Sequence, residues 1–472
     1  MQPVTRSDAI HTIIDGDLYS AAASKLCFVS PSETSDKDMN KAALIPILVL
    51  VSSLAIGESA MFRGDPQHTG AYEAAGVARL NGVKWTFHTN GAVISSPAVV
   101  GGAVYFGSTD HNLYAVDAAS GKLKWKFKTQ SRVTSSPAVA NGIIYFESYD
   151  GDFYAVDATS GKEKWRFRTG GERRYAGKHL HGFQPVTETM PDIFDVYLSS
   201  PAVVGGTVYF GSGDGNVYAL NAQAGKLQWK FATGDVVHAS PAVADGMVLI
   251  GSWDSYFYAL DAGTGKQKWR FKTGDDPEIH NQVGIQSSAA VADGMVYFGC
   301  RDSNLYALDE RTGEKKWVVN NQGSWVIGSP AVQAGRLYFA TSDSGFLYAL
   351  DATTGAILFT LNSKKWPMFS SPAIASGTLY VGTHAGKLMA VDLKTQKMTW
   401  EFETEASKKN GGQFTKADGT PKYEAAFLGD FYDDLVTATY RMWSVGAIFT
   451  SPVIDGAVIY VGSSDGNLYA LQ

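Results

Sequence analysis

The chain has 472 residues and is rich in Gly (50), Tyr (23), Phe (24) and Trp (11), yet only 18% of it is charged. That balance suits many short strands joined by tight turns. A net charge of −6 without any basic run argues against nucleic-acid binding, and two cysteines, Cys27 and Cys300, exclude a disulfide framework.

In chain order, residues 1–38 are polar and read as a non-native extension or a disordered segment. Met39–Ala60 follows with one lysine, an apolar run from Ala42 to Ile56 broken by Pro46 and Ser52, and small residues behind it. This is the layout of a secretory signal peptide, cut near Gly57 or Ala60. The run is shorter than the roughly 20 residues a spanning helix needs. The mature chain is therefore expected in the periplasm or secreted, with no transmembrane span and with residues 61–81 as a lead-in.

From residue 82 onward a single unit recurs. Its copies start at Pro97, Pro137, Pro201, Pro241, Ala289, Pro330, Pro372 and Pro452, a period of about 40 residues interrupted by insertions. One copy, Ser95–Thr129, holds four apolar or aromatic runs separated by turn residues. The first turn is Gly-Gly, Asn-Gly, Asp-Gly or Ser-Gly in most copies, which is two-residue hairpin chemistry. The third, as in DAASGK, pairs an Asp that bonds its own turn amides with a Gly able to turn left-handed. Each unit predicts a four-stranded antiparallel meander, and eight predict an all-β, eight-bladed β-propeller. Trp85, Trp125, Trp165, Trp229, Trp269, Trp317 and Trp400, with Phe359 in the sixth copy, are expected to dock between neighbouring sheets. The repeated Asp110, Asp150, Asp214, Asp254, Asp302, Asp343 and Asp465 read as turn scaffold, and Cys300 as a small buried side chain.

The last copy stops at SSDGNLYALQ, Ser463–Gln472, without a tryptophan strand, while GVKWTFHT, Gly82–Thr89, is a tryptophan strand without its three companions. Pairing of Gly82–Thr89 with Asn467–Leu471 is predicted to close the ring, with Trp85 in the eighth docking slot.

The stretch YAVDAASGKLKWKF, Tyr114–Phe127, and its copies resemble the tryptophan-docking repeat of the pyrroloquinoline quinone (PQQ) propeller superfamily across residues 77–472. The resemblance implies eight blades and two functional classes. Quinoprotein alcohol dehydrogenases hold PQQ over the propeller mouth beside a Ca²⁺, with an Asp as base. Non-enzymatic members include BamB, the lipoprotein of the outer-membrane barrel-assembly machinery. No adjacent cysteine pair accompanies a quinone here, and no motif carries the calcium ligands or the base, so no catalytic residue is assigned. Nor does SLAIGES offer a cysteine for lipidation.

The insertions 170–198, 274–286 and 405–449 are all links between units and fall on one face. Tyr197, His238, Gln286, Trp325, Trp366 with Met368, and Met442 with Trp443 stand just before the first strands and are expected to ring the channel mouth. Arg173, Arg174, Lys178, His179 and His181 lie in the first link, and Glu278, His280 and Asn281 in the second. Asp430, Asp433, Asp434 and Arg441 lie in the third. An aromatic mouth with a few polar groups is the default ligand site. His179 and His181 lack further ligands at matched spacing, so no metal site is expected. The residues thus read as an exported, monomeric, non-enzymatic binding or scaffold protein of the cell envelope, similar to an outer-membrane assembly factor. Its partner would be a protein or a small planar or anionic ligand. The alternative is a PQQ-dependent alcohol or sugar dehydrogenase, with PQQ and calcium as candidate cofactors.

Overall fold

The computed structural model describes residues 59–274 and 283–472. The extension, nearly all of the signal segment, and His280 with Asn281 lie outside the described residues.

Each meander folds where its turn residues dictate. In the first turns Asn141-Gly142 sits at φ 52° and 72°, and Asp245-Gly246 at 44° and 72°, the left-handed pairs that a two-residue hairpin requires. In the third turns a carboxylate organises the loop: Asp117 Oδ1 accepts the N–H of Ser120 at 2.9 Å and its hydroxyl at 2.7 Å. Gly121 follows at φ 69°, flat against Trp85, where a Cβ would stand 2.7 Å from the indole.

Eight such sheets form the ring: blades 1 to 7 span 98–128, 138–168, 202–232, 242–272, 290–320, 331–362 and 373–403. Blade 8 combines 453–471 with 83–88. Their innermost strands touch in cyclic order, the last against the first. Successive blades are stapled by the expected rings. Trp85 Nε1 donates to Ala118 O at 3.0 Å, Trp125 to Ala158 O, Trp165 to Ala222 O, Trp229 to Ala262 O, Trp269 to Glu310 O and Trp317 to Ala352 O. Phe359 takes the blade 6 slot without a donor and packs against Tyr338.

The clasp forms as the sequence predicts: Val83–His88 runs antiparallel to Asn467–Leu471, with Trp85 opposite Ala470. The lead-in does more than was expected of it. Blade 8 has no third turn, so Trp400 of blade 7 donates instead to Val77 O at 2.9 Å, while Gly76 N–H bonds Gly456 O. Upstream, Ser59–Ala60 pairs with Ala140–Val139 of blade 2. Pro66, Gln67, Thr69 and Gly70 then accept from Val243, Val291, Val332 and Ile374 on the inner strands of blades 4 to 7. Backbone donors that would otherwise face the axis unpaired are satisfied in this way.

The axis itself is lined by the Ser of each Ser-Pro and by Ser288, which precedes Ala289. Ser96 N–H donates to Ser136 Oγ at 3.0 Å, and the relay continues through Ser200, Ser240, Ser288, Ser329 and Ser371. Ser451 N–H feeds the start of the relay by donating to Ser96 Oγ at 2.9 Å.

Replacing Trp85 by Ala should lower unfolding free energy by about 3–5 kcal/mol, the usual range for a buried aromatic. Leu428→Ala, at a side chain 71% exposed, should change it by less than ~0.5 kcal/mol. Deleting residues 59–89 should abolish a single cooperative denaturant transition; an unchanged transition would refute the clasp.

Candidate functional site

The links build a roof over one face. The first contains a hairpin, Ala176–Lys178 with Thr189–Pro191. The third contains two helices, α1 (Glu405–Phe414) and α2 (Tyr432–Trp443). Thr404 Oγ1 caps α1 by accepting from Ser407 N–H. Asp434 Oδ2 accepts Phe431 N–H at the start of α2. The sequence reading expected no helix here, although Leu435, Ala438, Thr439, Met442 and Trp443, the buried face of α2, follow the i, i+3, i+4, i+7 helical pattern. First and third links are laced together: Gln184 N–H donates to Asp430 O at 2.8 Å and Tyr432 N–H to Gln184 O at 2.7 Å.

Beneath the roof lies a cavity of about 410 Å³. Its walls are Phe194, Trp325, Trp366, Phe369, Tyr423, Phe427, Met442 and Trp443, with His181, Asp343, His384 and Thr439 as polar members. Three buried polar atoms among these have no hydrogen-bond partner: Trp325 Nε1, His384 Nε2 and Thr439 Oγ1. Burial pushes His384 down to about 3, so it is a neutral imidazole, held between Phe369 at 4.4 Å and Phe449 at 4.6 Å.

Two of these groups come from second turns, which the sequence reading treated as scaffold. The position after the Ser108 slot is occupied in successive blades by Thr109, Tyr149, Gly213, Trp253, Arg301, Ser342, His384 and Ser464. So varied a set inside an otherwise regular repeat was the signal that these positions are not plain scaffold: His384 lines this cavity, and Thr109 and Ser464 line a second one. Asp343 requires a correction. In other blades the aspartate accepts the tyrosine hydroxyl four residues on, as Asp110 does from Tyr114 at 2.7 Å. Blade 6 carries one extra residue, its tyrosine is Tyr348, and Asp343 turns into the cavity instead. The carboxyl is open to the cavity but crowded by protein, and that desolvation raises its pKa, with Ser342 partly opposing.

One wall is fixed by a stack. Tyr175 lies on Trp253 at 4.3 Å, and the Arg301 guanidinium sits 4.4 Å from Trp253 and 4.5 Å from Trp325. Arg301 also bonds Asp192 at 2.5 Å and Gln286 Oε1 at 2.7 Å. Burial alone would raise Asp192, but Arg301 and His181 hold it below the usual carboxylate range. Arg301 is therefore a positioning group for Trp325 and for His181, which bonds Asp192 at 3.2 Å.

Of the remaining candidates, Tyr197 and His238 lie deeper, lining a void of about 30 Å³ above the serine ring. Tyr197 donates to Phe449 O at 2.9 Å. His238 is fully buried and bonds Asp195 at 2.8 Å and Glu172 at 3.4 Å. Arg173 is on the rim, paired with Asp235 at 2.7 Å. Arg174 enters a second, smaller cavity. Cys300 is buried and donates to Gly284 O, as a small core residue would.

The cavity's donor set does not fit PQQ with calcium. A hard cation takes six to eight oxygen ligands, whereas Asp343 is the sole carboxylate in the lining and, among the described residues, no group of three His, Cys, Asp or Glu side chains is arranged to hold a metal ion. A triply carboxylated quinone would also need cationic partners, and no arginine or lysine lines this cavity.

The family described as outer membrane protein assembly factor BamB matches residues 73–178, 193–323 and 318–472. The chain belongs to this family. No curated protein matches it. Among solved structures, BamB from Moraxella catarrhalis is similar with 16% identity and TM-score 0.58, over 83% of this chain and 97% of that one. A europium-containing methanol dehydrogenase has 16% identity and TM-score 0.63, over 87% and 98%. The quinohemoprotein alcohol dehydrogenase from Comamonas testosteroni has 14% and 0.62, over 87% and 80%. At these identities the structures share the fold, and both functional classes are represented.

The buried histidine yields a pH signature. Desolvation would lower His238, but Asp195 and then Glu172 outweigh it and raise it from 6.5 to about 10. A group raised on folding stabilises fully below its unfolded value and loses that contribution as pH climbs to its folded value. Unfolding free energy should therefore fall between pH 6.5 and 10, and His238→Gln should flatten that slope, as read from denaturant titrations across the window.

Proposed function

We propose that the protein is a non-enzymatic binding propeller of the cell envelope whose roofed cavity takes up a small, flat ligand bearing an uncharged or cationic ring. The carrying observation is the trio of unpartnered polar atoms, Trp325 Nε1, His384 Nε2 and Thr439 Oγ1, set in aromatic walls. Buried polar groups normally have partners, and a ligand offering acceptors to the indole and hydroxyl supplies them. Asp343 adds a carboxylate where a donor or cation on the ring would end. Family membership supports the envelope location, and the calcium-poor donor set favours binding over quinone chemistry.

A panel of heteroaromatic compounds, followed by tryptophan fluorescence and thermal shift, tests this reading. Neutral or cationic rings should bind, and Thr439→Val should weaken the best of them by roughly 2–10-fold, the value of one neutral hydrogen bond. PQQ with Ca²⁺ should give neither saturable binding nor dye reduction with alcohols. Turnover there would overturn the proposal in favour of a quinoprotein dehydrogenase.

A further inference from the structure

A second cavity, of about 220 Å³, opens on the same face between blades 8, 1 and 2. Two guanidiniums converge on it, Arg132 from the link after blade 1 and Arg174 from the first insertion. Among the described residues neither is in an ion pair. Arg132 lies over the Tyr149 ring at 4.0 Å, which orients it without neutralising it. Arg174 Nε is buried without a hydrogen-bond partner, and so is the Thr134 hydroxyl in the same lining. The nearest acid, Asp195, is already engaged by His238 and by Tyr175 N–H at 2.7 Å. Burial lowers the Arg132 pKa and the neighbouring Arg174 charge adds to that, whereas Arg174, although burial opposes it, is raised by Tyr149, Tyr440 and Asp195. Such a pair is costly unless an anion joins it. The same lining includes Ile94, Val196, Trp443 and Phe449, an apolar wall.

We infer that this cavity is a binding site for a small organic oxyanion, its carboxylate or phosphate held by the Arg132 and Arg174 guanidiniums and its body against Trp443. The guanidinium fork matches both headgroups. The site is separate from the aromatic cavity and stands or falls without it, although Trp443 lines both.

Isothermal titration of the full chain with benzoate, phenyl phosphate and inorganic phosphate tests the assignment, with benzyltrimethylammonium as the cationic control. At least one oxyanion should bind while the control does not compete with it. Preference between benzoate and phenyl phosphate identifies the headgroup, and binding of inorganic phosphate alone would refute a role for the apolar wall. Arg174→Gln and Arg132→Gln should each weaken binding by roughly tenfold or more, as loss of a charge-assisted bond implies. Arg173→Gln, on the rim, should leave it unchanged. Should either variant at the pair fail to fold, Ala92→Glu serves in its place, since it brings a tethered carboxylate to the lining; it should abolish binding and raise the melting temperature. Absence of binding by every oxyanion, or binding indifferent to all three substitutions at the site, would overturn the proposal.

Discussion

The ring stands on one repeated donation, an indole N–H on the outer strand of one blade to a turn carbonyl of the next. A meander this small cannot bury both its faces alone, so each blade is completed by its neighbours. The donation fixes their spacing, and the left-handed glycine under each indole leaves room for it. Because the relation is cyclic, a gap anywhere leaves two faces bare. The chain therefore spends its lead-in on blades 7 and 8, where it supplies Val77 O for Trp400 and the strand that carries Trp85.

A scaffold tied in this way tolerates long links on one face. Those links bring Asp192, Asp195, Glu172 and Arg174 inward, where they meet the few charges that the repeat itself buries, Arg301 among them. Arg301 shows the division of labour. Its charge is fully spent on Asp192, Gln286 and two indoles, which leaves the aromatic cavity without a cation. Arg132 and Arg174 are not spent, and the two cavities are thereby of opposite character although one tryptophan separates them.

The fold was legible because it repeats. Turn chemistry, the tryptophan slot and the orphan strand Gly82–Thr89 each recur or complete a pattern, and pattern needs no knowledge of tertiary contacts. The site was legible only in part. Trp325, Trp366 and Trp443 were visible as large rings before small-residue strands. Asp343 was hidden by its resemblance to the scaffold aspartates, and only the five-residue spacing to Tyr348 sets it apart. His384 was passed over because it sits in a short second turn, away from the long links where polar groups were sought. The helix α2 was missed because two carboxylates and a threonine pair dilute its apolar stripe, and its burial depends on the first link packing beside it.

The clasp also sets the order of events during synthesis. His88 and Asn467 are hydrogen-bonded neighbours 379 residues apart, so an early strand must wait until blade 8 has been made before it has a partner. Contacts this distant are slow to form. Until they do, Val83–His88 and the rim of blade 1 present open edges of the kind that recruit other strands. A cell making this protein therefore faces its greatest aggregation hazard in the interval before Asn467–Leu471 is available to pair, and chaperone demand should track that interval rather than the appearance of any single blade.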